Sequence, residues 1–294
     1  MKTTAIPIIT KGTTTTVSRQ EVVNFYEEAT EDYSFWSSDL NMHFGYYTAG
    51  RTNPLTRDSM LNEMNSQIYE RLQLPKGKTT IADLGCGMGG PMRHFLKTNL
   101  ELSVIGVTLS PFQVREGNKL LVDKKGVILH ENFCETSMAT GSMDGVVGIE
   151  SLCHVAHSKE SLREAFRLLK PGKKFVICDA FIKKPVSQLC PGAAYSYKRL
   201  CKGWKLEGLG VIEEVENNLK KIGFQDVKVE DVSFRTAPSV FHVPFAICGF
   251  ILKKILKGKR IKPESWNNLK ASFYALMAGL HMKDFGYYIV TAKK

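Results

Sequence analysis

Apolar positions along this chain fall into two regimes. Up to residue 78 they recur at helical spacing. Ser18-Arg-Gln-Glu21 has the form of a capping box, the Ser hydroxyl reaching the third backbone N–H and the Glu side chain reaching back. It opens an apolar run through Val22, Val23, Phe25 and Tyr26. A loop dense in aromatics is expected next, with Tyr33, Phe35, Trp36, Phe44, Tyr46 and Tyr47. On a second helix Met60, Met64, Ile68 and Leu72 repeat every four residues until Pro75 and Gly77 stop it. From Thr79 the pattern becomes short apolar runs separated by helix signals. TTIADL, LSVIGVTL, VILHEN, GVVGIE and KFVICDAF read as strands, and KESLREAFRLL as a helix before the last of these. A helix opened by Ser110-x-x-Gln113 follows LSVIGVTL. Strands alternating with helices predict a parallel, doubly wound α/β sheet.

Further on, VIEEVENNLKKIG reads as a helix entering the strand FQDVKVEDVS, and the chain ends on the strand FGYYIVTAK. The expected organisation is therefore a mobile tail over 1–17, which holds seven Thr and no amphipathic pattern, and a helical cap over 18–78. A Rossmann-like core over 79–183 follows, then a lid segment, helix and sixth strand over 184–235. A helical insertion over 236–283 covers one end of the sheet before the last strand, 284–294.

The 294 residues carry 40 Lys+Arg against 29 Asp+Glu, a net charge of +11, with 43% hydrophobic and 23% charged residues. That is an ordinary globular composition, which sets aside disorder, collagen and disulfide scaffolds. Seven cysteines without a CxxC pair, behind a start with no signal-peptide pattern, point to a reducing, cytoplasmic compartment. The surplus charge fits a solubilising surface, but KKILKGKRIK at 253–262 has six basic residues and no acid. It directly follows the apolar stretch APSVFHVPFAICGFIL, which His242, Pro238 and Pro244 interrupt as a membrane span.

Chemistry concentrates where TTIAD enters Asp83-Leu-Gly85-Cys-Gly87-Met-Gly89-Gly90. Glycines there let the backbone turn tightly and approach a ligand at a helix N-terminus. Gly85, Gly87 and Gly90 satisfy the dinucleotide spacing G-x-G-x-x-G, which alone is weak. Against a nicotinamide cofactor, Asp83 precedes the loop as a possible acceptor for an ammonium group, and the next strand ends Val107-Thr108-Leu109-Ser110 without the acid expected on a ribose.

DLGCGMGG, VTLSPFQ, GIESLCH and LLKPGKKFVICD together resemble class I S-adenosylmethionine-dependent methyltransferases. Within these they are most similar to the clade of sterol C-methyltransferases, tocopherol methyltransferases, prenyl diphosphate C-methyltransferases and cyclopropane fatty acid synthases. The likeness covers residues 20–183 and, more loosely, the final strand and the helix before it. It implies a seven-stranded sheet and S-adenosyl-L-methionine as cofactor, with S-adenosyl-L-homocysteine as product. It implies that Asp83, Gly85 and Gly87 cradle the methionine portion, and that Thr108 and Leu109 stand at the ribose, with Gln113 supplying a polar contact or merely closing its capping box. Asn132 and Phe133 then hold adenine. Tyr26 and the His-x-Gly of His43 and Gly45 close over the carboxylate end.

Glu150 ends the strand GVVGIE, where ligands bind in open α/β sheets. Glu150 and His154 are the candidate catalytic residues. If the acceptor is an alkene, one takes the proton lost after methylation; if it is a phenol or amine, one takes the acceptor's own proton. Tyr33, Trp36, Tyr46 and Tyr47 are candidates for the acceptor pocket, with Phe241 and Phe245 as its other wall; each is equally explicable as packing. Residues 237–262 could touch a membrane surface, hold a diphosphate, or form a buried helix and solvated turn. No His or Cys pair has ligand spacing, so no metal is expected, and no RNA-binding module is recognisable. The resemblance implies methyl transfer to a small lipophilic acceptor, by C-methylation of an isoprenoid, sterol-like or fatty-acyl alkene. The alternatives are O- or N-methylation of a phenolic or amine product, and a non-catalytic, membrane-associated cofactor-binding protein.

Overall fold

The computed structural model describes residues 17–122 and 125–294, with the backbone alone described at 31–34. The expected tail, apart from Val17, lies outside them. Seven strands form one sheet: β1 (Thr79–Leu84), β2 (Leu102–Thr108), β3 (Gly126–His130), β4 (Met143–Ile149), β5 (Leu169–Ile182), β6 (Gln225–Asp231) and β7 (Phe285–Lys293). Their spatial order is β3-β2-β1-β4-β5-β7-β6. The first five are parallel, and β7 inserts antiparallel to both β5 and β6. β4, at the centre, is buried at every residue, as a strand covered on both faces must be.

Helices cover both faces. On one, Met64, Ile68 and Leu72 of α2 (Arg57–Leu72) pack with Met92, Phe95 and Leu96 of α3 (Gly90–Thr98). On the other, Leu162, Ala165 and Leu168 of α5 (Lys159–Leu168) meet Val215 and Leu219 of α7 (Ile212–Ile222). The four-residue stripe of α2 is thus the side that packs on the sheet. The Ser18/Glu21 capping box forms in full, Ser18 N donating to Glu21 Oε2 at 2.9 Å and Glu21 N to Ser18 Oγ at 3.2 Å.

Two local expectations change. α1 runs from Arg19 to Trp36, so Tyr33, Phe35 and Trp36 are helical rather than in a loop; no Gly or Pro interrupts that segment. The capping box at the start of α4 (Pro111–Lys119) is only half made. Ser110 Oγ accepts from Gln113 N at 3.3 Å, but the Gln113 side chain turns away to the end of β2. Between β6 and β7 come α8 (Ser233–Val240), α9 (Val243–Leu256) and α10 (Pro263–Leu280), with α10 packed against α6 (Pro191–Trp204).

Candidate functional site

The carboxyl ends of β1, β2 and β4 open into a cleft roofed by α1 and the segment after it. Its floor is the glycine loop. Gly85 has φ +86°, and a Cβ there would stand 2.4 Å from Ser151 Cβ. Ser151 Oγ donates to Leu84 O at 2.5 Å, so the loop after β4 presses directly on the loop after β1. Gly87 also has positive φ (+54°) and lies against Met42 Sδ. Gly85 therefore excludes a side chain on conformational as well as spatial grounds, and Gly87 disfavours one on conformational grounds.

Asp83 ends in this floor, 1% exposed, and its Oδ2 has no hydrogen-bond partner. Burial pushes its carboxyl up to about 7. Above the floor, His43 Nδ1 lies 2.8 Å from Phe44 O, which places the ring proton there and leaves the buried Nε2 beside Asn65 of α2. Burial lowers the pKa of His43 to about 4, so the ring is neutral. The floor of the cleft thus has an orphaned acceptor in Asp83 Oδ2. Among the described residues its lining carries two carboxylates, Asp83 and Glu150, and no Lys or Arg, in a chain of net charge +11. Such a site suits a ligand that is cationic and rich in donors.

Glu150 follows β4 with φ +45°, a strained conformation for a non-glycine residue. It is held there by two donors to one oxygen: Phe44 N at 2.6 Å and Tyr287 Oη at 2.5 Å, both to Oε1. Burial raises its pKa to about 8, against the lowering effect of those two bonds. His154 sits in the short 3₁₀ turn Leu152–Val155, with Nε2 2.7 Å from Tyr26 Oη. Its pKa is lowered by burial. Tyr26 comes from α1, so this pair joins roof to wall.

Of the residues expected at the cofactor and the reaction, Tyr26, His43, Asp83, Gly85, Gly87, Thr108, Leu109, Gln113, Phe133, Glu150 and His154 line the cleft. Gln113 has a defined part: Thr108 Oγ1 donates to its Oε1 at 2.6 Å and its Nε2 reaches Thr30 Oγ1 of α1 at 3.4 Å. It links sheet, α4 and roof. Gly45 and Asn132 stand elsewhere. Gly45 packs on Met60 and donates to Ser239 Oγ at 2.8 Å, while Asn132 Oδ1 is taken by Cys134 N at 3.2 Å within its own turn.

The expected acceptor-pocket aromatics do not gather here. Trp36 Nε1 donates to His43 O at 3.2 Å, behind the lining. Tyr46 packs with α2 in the core, and Tyr47 N donates to Arg235 O at 2.7 Å. The side chain of Tyr33 falls outside the described residues. Phe241 and Phe245, expected on the other wall, are 58% and 75% exposed; Phe241 stands in the turn between α8 and α9, and Phe245 points outward because Val243, Ala246 and Phe250 supply the inward face of its helix. Tyr287, which the sequence offered only as a strand residue, is the polar partner of Glu150 that reading missed. The expectation of no metal rested on sequence spacing, yet the fold brings Cys190, His281 and Asp284 within 4.8 Å of one another. Lys184 Nζ already stands 2.6 Å from Asp284 Oδ1.

Residues 82–177 match the family model described as a methyltransferase domain. Over 216 residues the chain is 26% identical to 24-methylenesterol C-methyltransferase 2 of Arabidopsis thaliana, covering 72% of this chain and 58% of that protein. The chain thus spans about six-tenths of that relative's length. The structure resembles the cyclopropane synthase MmaA2 from Mycobacterium tuberculosis with a TM-score of 0.80 at 17% identity, covering 96% and 100% of the two chains. It also resembles the [4+2]-cyclase SpnF at a TM-score of 0.73 and 20% identity, covering 94% and 96%. Likeness at this level concerns the fold, and the last neighbour illustrates that one fold serves different chemistry.

Proposed function

With residues 82–177 forming a methyltransferase domain on the class I S-adenosylmethionine-dependent fold, we propose that this chain binds S-adenosyl-L-methionine in the cleft and methylates a small lipophilic acceptor at carbon. The observation that carries the reading is the donor-seeking character of the cleft: the unpartnered Asp83 Oδ2 in its floor, two buried carboxyls and, among the described residues, no cationic side chain in the lining. That set fits a ligand bearing an ammonium, a sulfonium and two ribose hydroxyls. Asp83, Gly85, Gly87 and His43 would hold its methionine portion. Thr108, Leu109 and Gln113 would face the ribose, and Phe133 the adenine. When bound, the cofactor supplies a methyl group on an activated sulfonium leaving group.

Because that leaving group needs no protonation, the protein's work is positioning, exclusion of water and removal of one proton. For an alkene acceptor, the π pair would take up the methyl carbon and the cofactor would leave as a neutral thioether. The acceptor then carries the positive charge and loses a proton to restore the alkene. Glu150 is suited to take it. A neighbouring cation favours its ionised form, and once the cofactor's charge is gone the buried carboxylate regains its affinity for a proton. Phe44 N and Tyr287 Oη leave Oε2 as the freer oxygen. Two relatives named for carbon chemistry, a sterol C-methyltransferase and a cyclopropane synthase, support carbon as the methylated atom.

A second reading, methylation of a hydroxyl, is favoured by the neutral His154 beside Tyr26, which could accept a hydroxyl proton. Seven free cysteines support a reducing compartment. The test is incubation of purified protein with methyl-labelled cofactor and an extract of the source organism. Label in the organic phase supports the lipophilic acceptor. Label only in aqueous or RNA fractions rejects it, and no transfer at all in the presence of cofactor binding favours the non-catalytic alternative.

A further inference from the structure

The segment Ser233–Leu256 has a mean hydropathy of 1.6 over an 18-residue window, of which 17% is buried. It does not behave as one spanning helix. α8 is tied into the body: Thr236 and Ser239 are buried, Ser239 Oγ accepts from Gly45 N, and Arg235 O accepts from Tyr47 N. The chain breaks at 241–242 and resumes as α9, whose 14 residues extend about 21 Å, short of a bilayer's apolar core.

α9 is apolar on two opposite sides. Val243, Ala246 and Phe250 face the protein, where Phe250 meets the Phe35 ring of α1 edge-on at 6.0 Å. Phe245, Cys248, Leu252, Ile255 and Leu256 follow at steps of three, four, three and one, which keeps them on a single stripe about 100° wide on the far side. Phe245, Leu252, Ile255 and Leu256 are 75%, 56%, 67% and 78% exposed. A continuous outward stripe of this kind is unusual on a soluble monomer.

The stripe ends in a cationic segment. Lys257, Lys259, Arg260 and Lys262 are exposed, and among the described residues none of them forms an ion pair with a carboxylate. Lys253 and Lys254 lie to the side, over the Phe35 and Phe250 rings at 5.4 and 5.0 Å. An outward apolar stripe closed by unpaired cations matches a surface with apolar depth and anionic headgroups. Self-association through the same stripe would cover the apolar residues but leave these cations without a counter-charge, which an anionic surface supplies.

We propose that α9 lies in the plane of an anionic lipid bilayer, with its outer stripe among the acyl chains and residues 257–262 on the headgroups. This makes the expected membrane contact specific to one face of one helix, and it holds whether or not the cleft transfers methyl groups. Only its consequence rests on the methyl-transfer reading: α9 packs on α1, which carries Val22, Val23 and Tyr26 of the cleft, so docking sets the site one helix away from a reservoir of lipophilic acceptor.

The test is sedimentation of the full chain with phosphatidylcholine vesicles, with and without about a third phosphatidylserine. Two variants serve: Phe245→Ser/Leu252→Ser/Leu256→Ser, and Lys257→Gln/Lys259→Gln/Arg260→Gln/Lys262→Gln. Wild type should pellet with anionic vesicles only, and each variant should weaken that partition by about tenfold or more. Both variants should bind S-adenosylhomocysteine as wild type does, which shows them folded. Failure of wild type to pellet, pelleting unchanged in either variant, or equal pelleting on neutral vesicles overturns the proposal. So does a dimer that the stripe variant dissociates while no vesicle binds.

Discussion

Replacing Asp83 by Asn should make the ligand-free protein more stable at alkaline pH and a worse binder of its cofactor. The carboxyl is fully buried and is raised from an ordinary 3.8 to about 7 by that burial. Between these values the folded state keeps a proton that the unfolded chain has released, so stability falls as pH rises through this window and levels off above 7. The full effect is about 4 kcal/mol at 1.36 kcal/mol per pH unit. Asn cannot ionise, although its buried amide still lacks a partner and costs about 1–3 kcal/mol at every pH. The stability of Asp83→Asn relative to wild type should therefore climb by about 4 kcal/mol from pH 4 to pH 8, with Glu150 cancelling from the difference. Urea denaturation of the ligand-free protein across that range measures it. Calorimetry with S-adenosylhomocysteine should find binding about 10- to 100-fold weaker, the loss of one charge-assisted contact to an ammonium. Parallel stability profiles, or an unchanged affinity, would refute the assignment of Asp83 as a carboxylate kept unpaired for a cationic ligand.

Glu150→Gln should leave cofactor affinity near wild type and lower kcat by roughly 10²- to 10⁴-fold, read in single-turnover methyl transfer. Since Glu150 must be ionised to take a proton, and stands at about 8 without ligand, the wild-type rate should rise with pH along an acidic limb at or below that value. Tyr287→Phe removes a donor to the ionised form at 2.5 Å, so the limb should move up by about one pH unit; a limb that stays or moves down contradicts the account. Gly85→Ala places a Cβ 2.4 Å from Ser151 Cβ at φ +86° and should lower both stability, by about 2 kcal/mol or more, and cofactor affinity. Urea midpoints and calorimetry would show it.

What the sequence made legible was what local pattern determines. The four-residue stripe of α2, the apolar run of β4 and the glycine loop each follow from residues adjacent in the chain, and the parallel sheet follows from their alternation. The rest depends on which distant segments meet. Tyr287 alternates like any strand residue, and nothing local reveals that its hydroxyl meets Glu150, 137 positions away. Asn132 occupies the expected loop, but its amide is spent on Cys134 N, a choice between turn and ligand that spacing cannot register. The aromatics of 33–47 suggested a pocket by density, whereas Trp36 and Tyr46 serve the cap's own packing. Phe245 was misjudged because α9 has two apolar faces, and sequence periodicity does not say which one is covered.

The central claim is transfer of a methyl group to carbon in this cleft, and its most direct test is the position of that methyl in the product. Purified protein, cofactor carrying an isotope-labelled methyl carbon, and a lipid extract of the source organism are incubated, and the labelled product is isolated for nuclear magnetic resonance. A labelled methyl bonded to carbon is expected, formed roughly 10²- to 10⁴-fold more slowly by Glu150→Gln. A label bonded to oxygen or nitrogen, or a carbon-bound label formed equally well by Glu150→Gln, would contradict it.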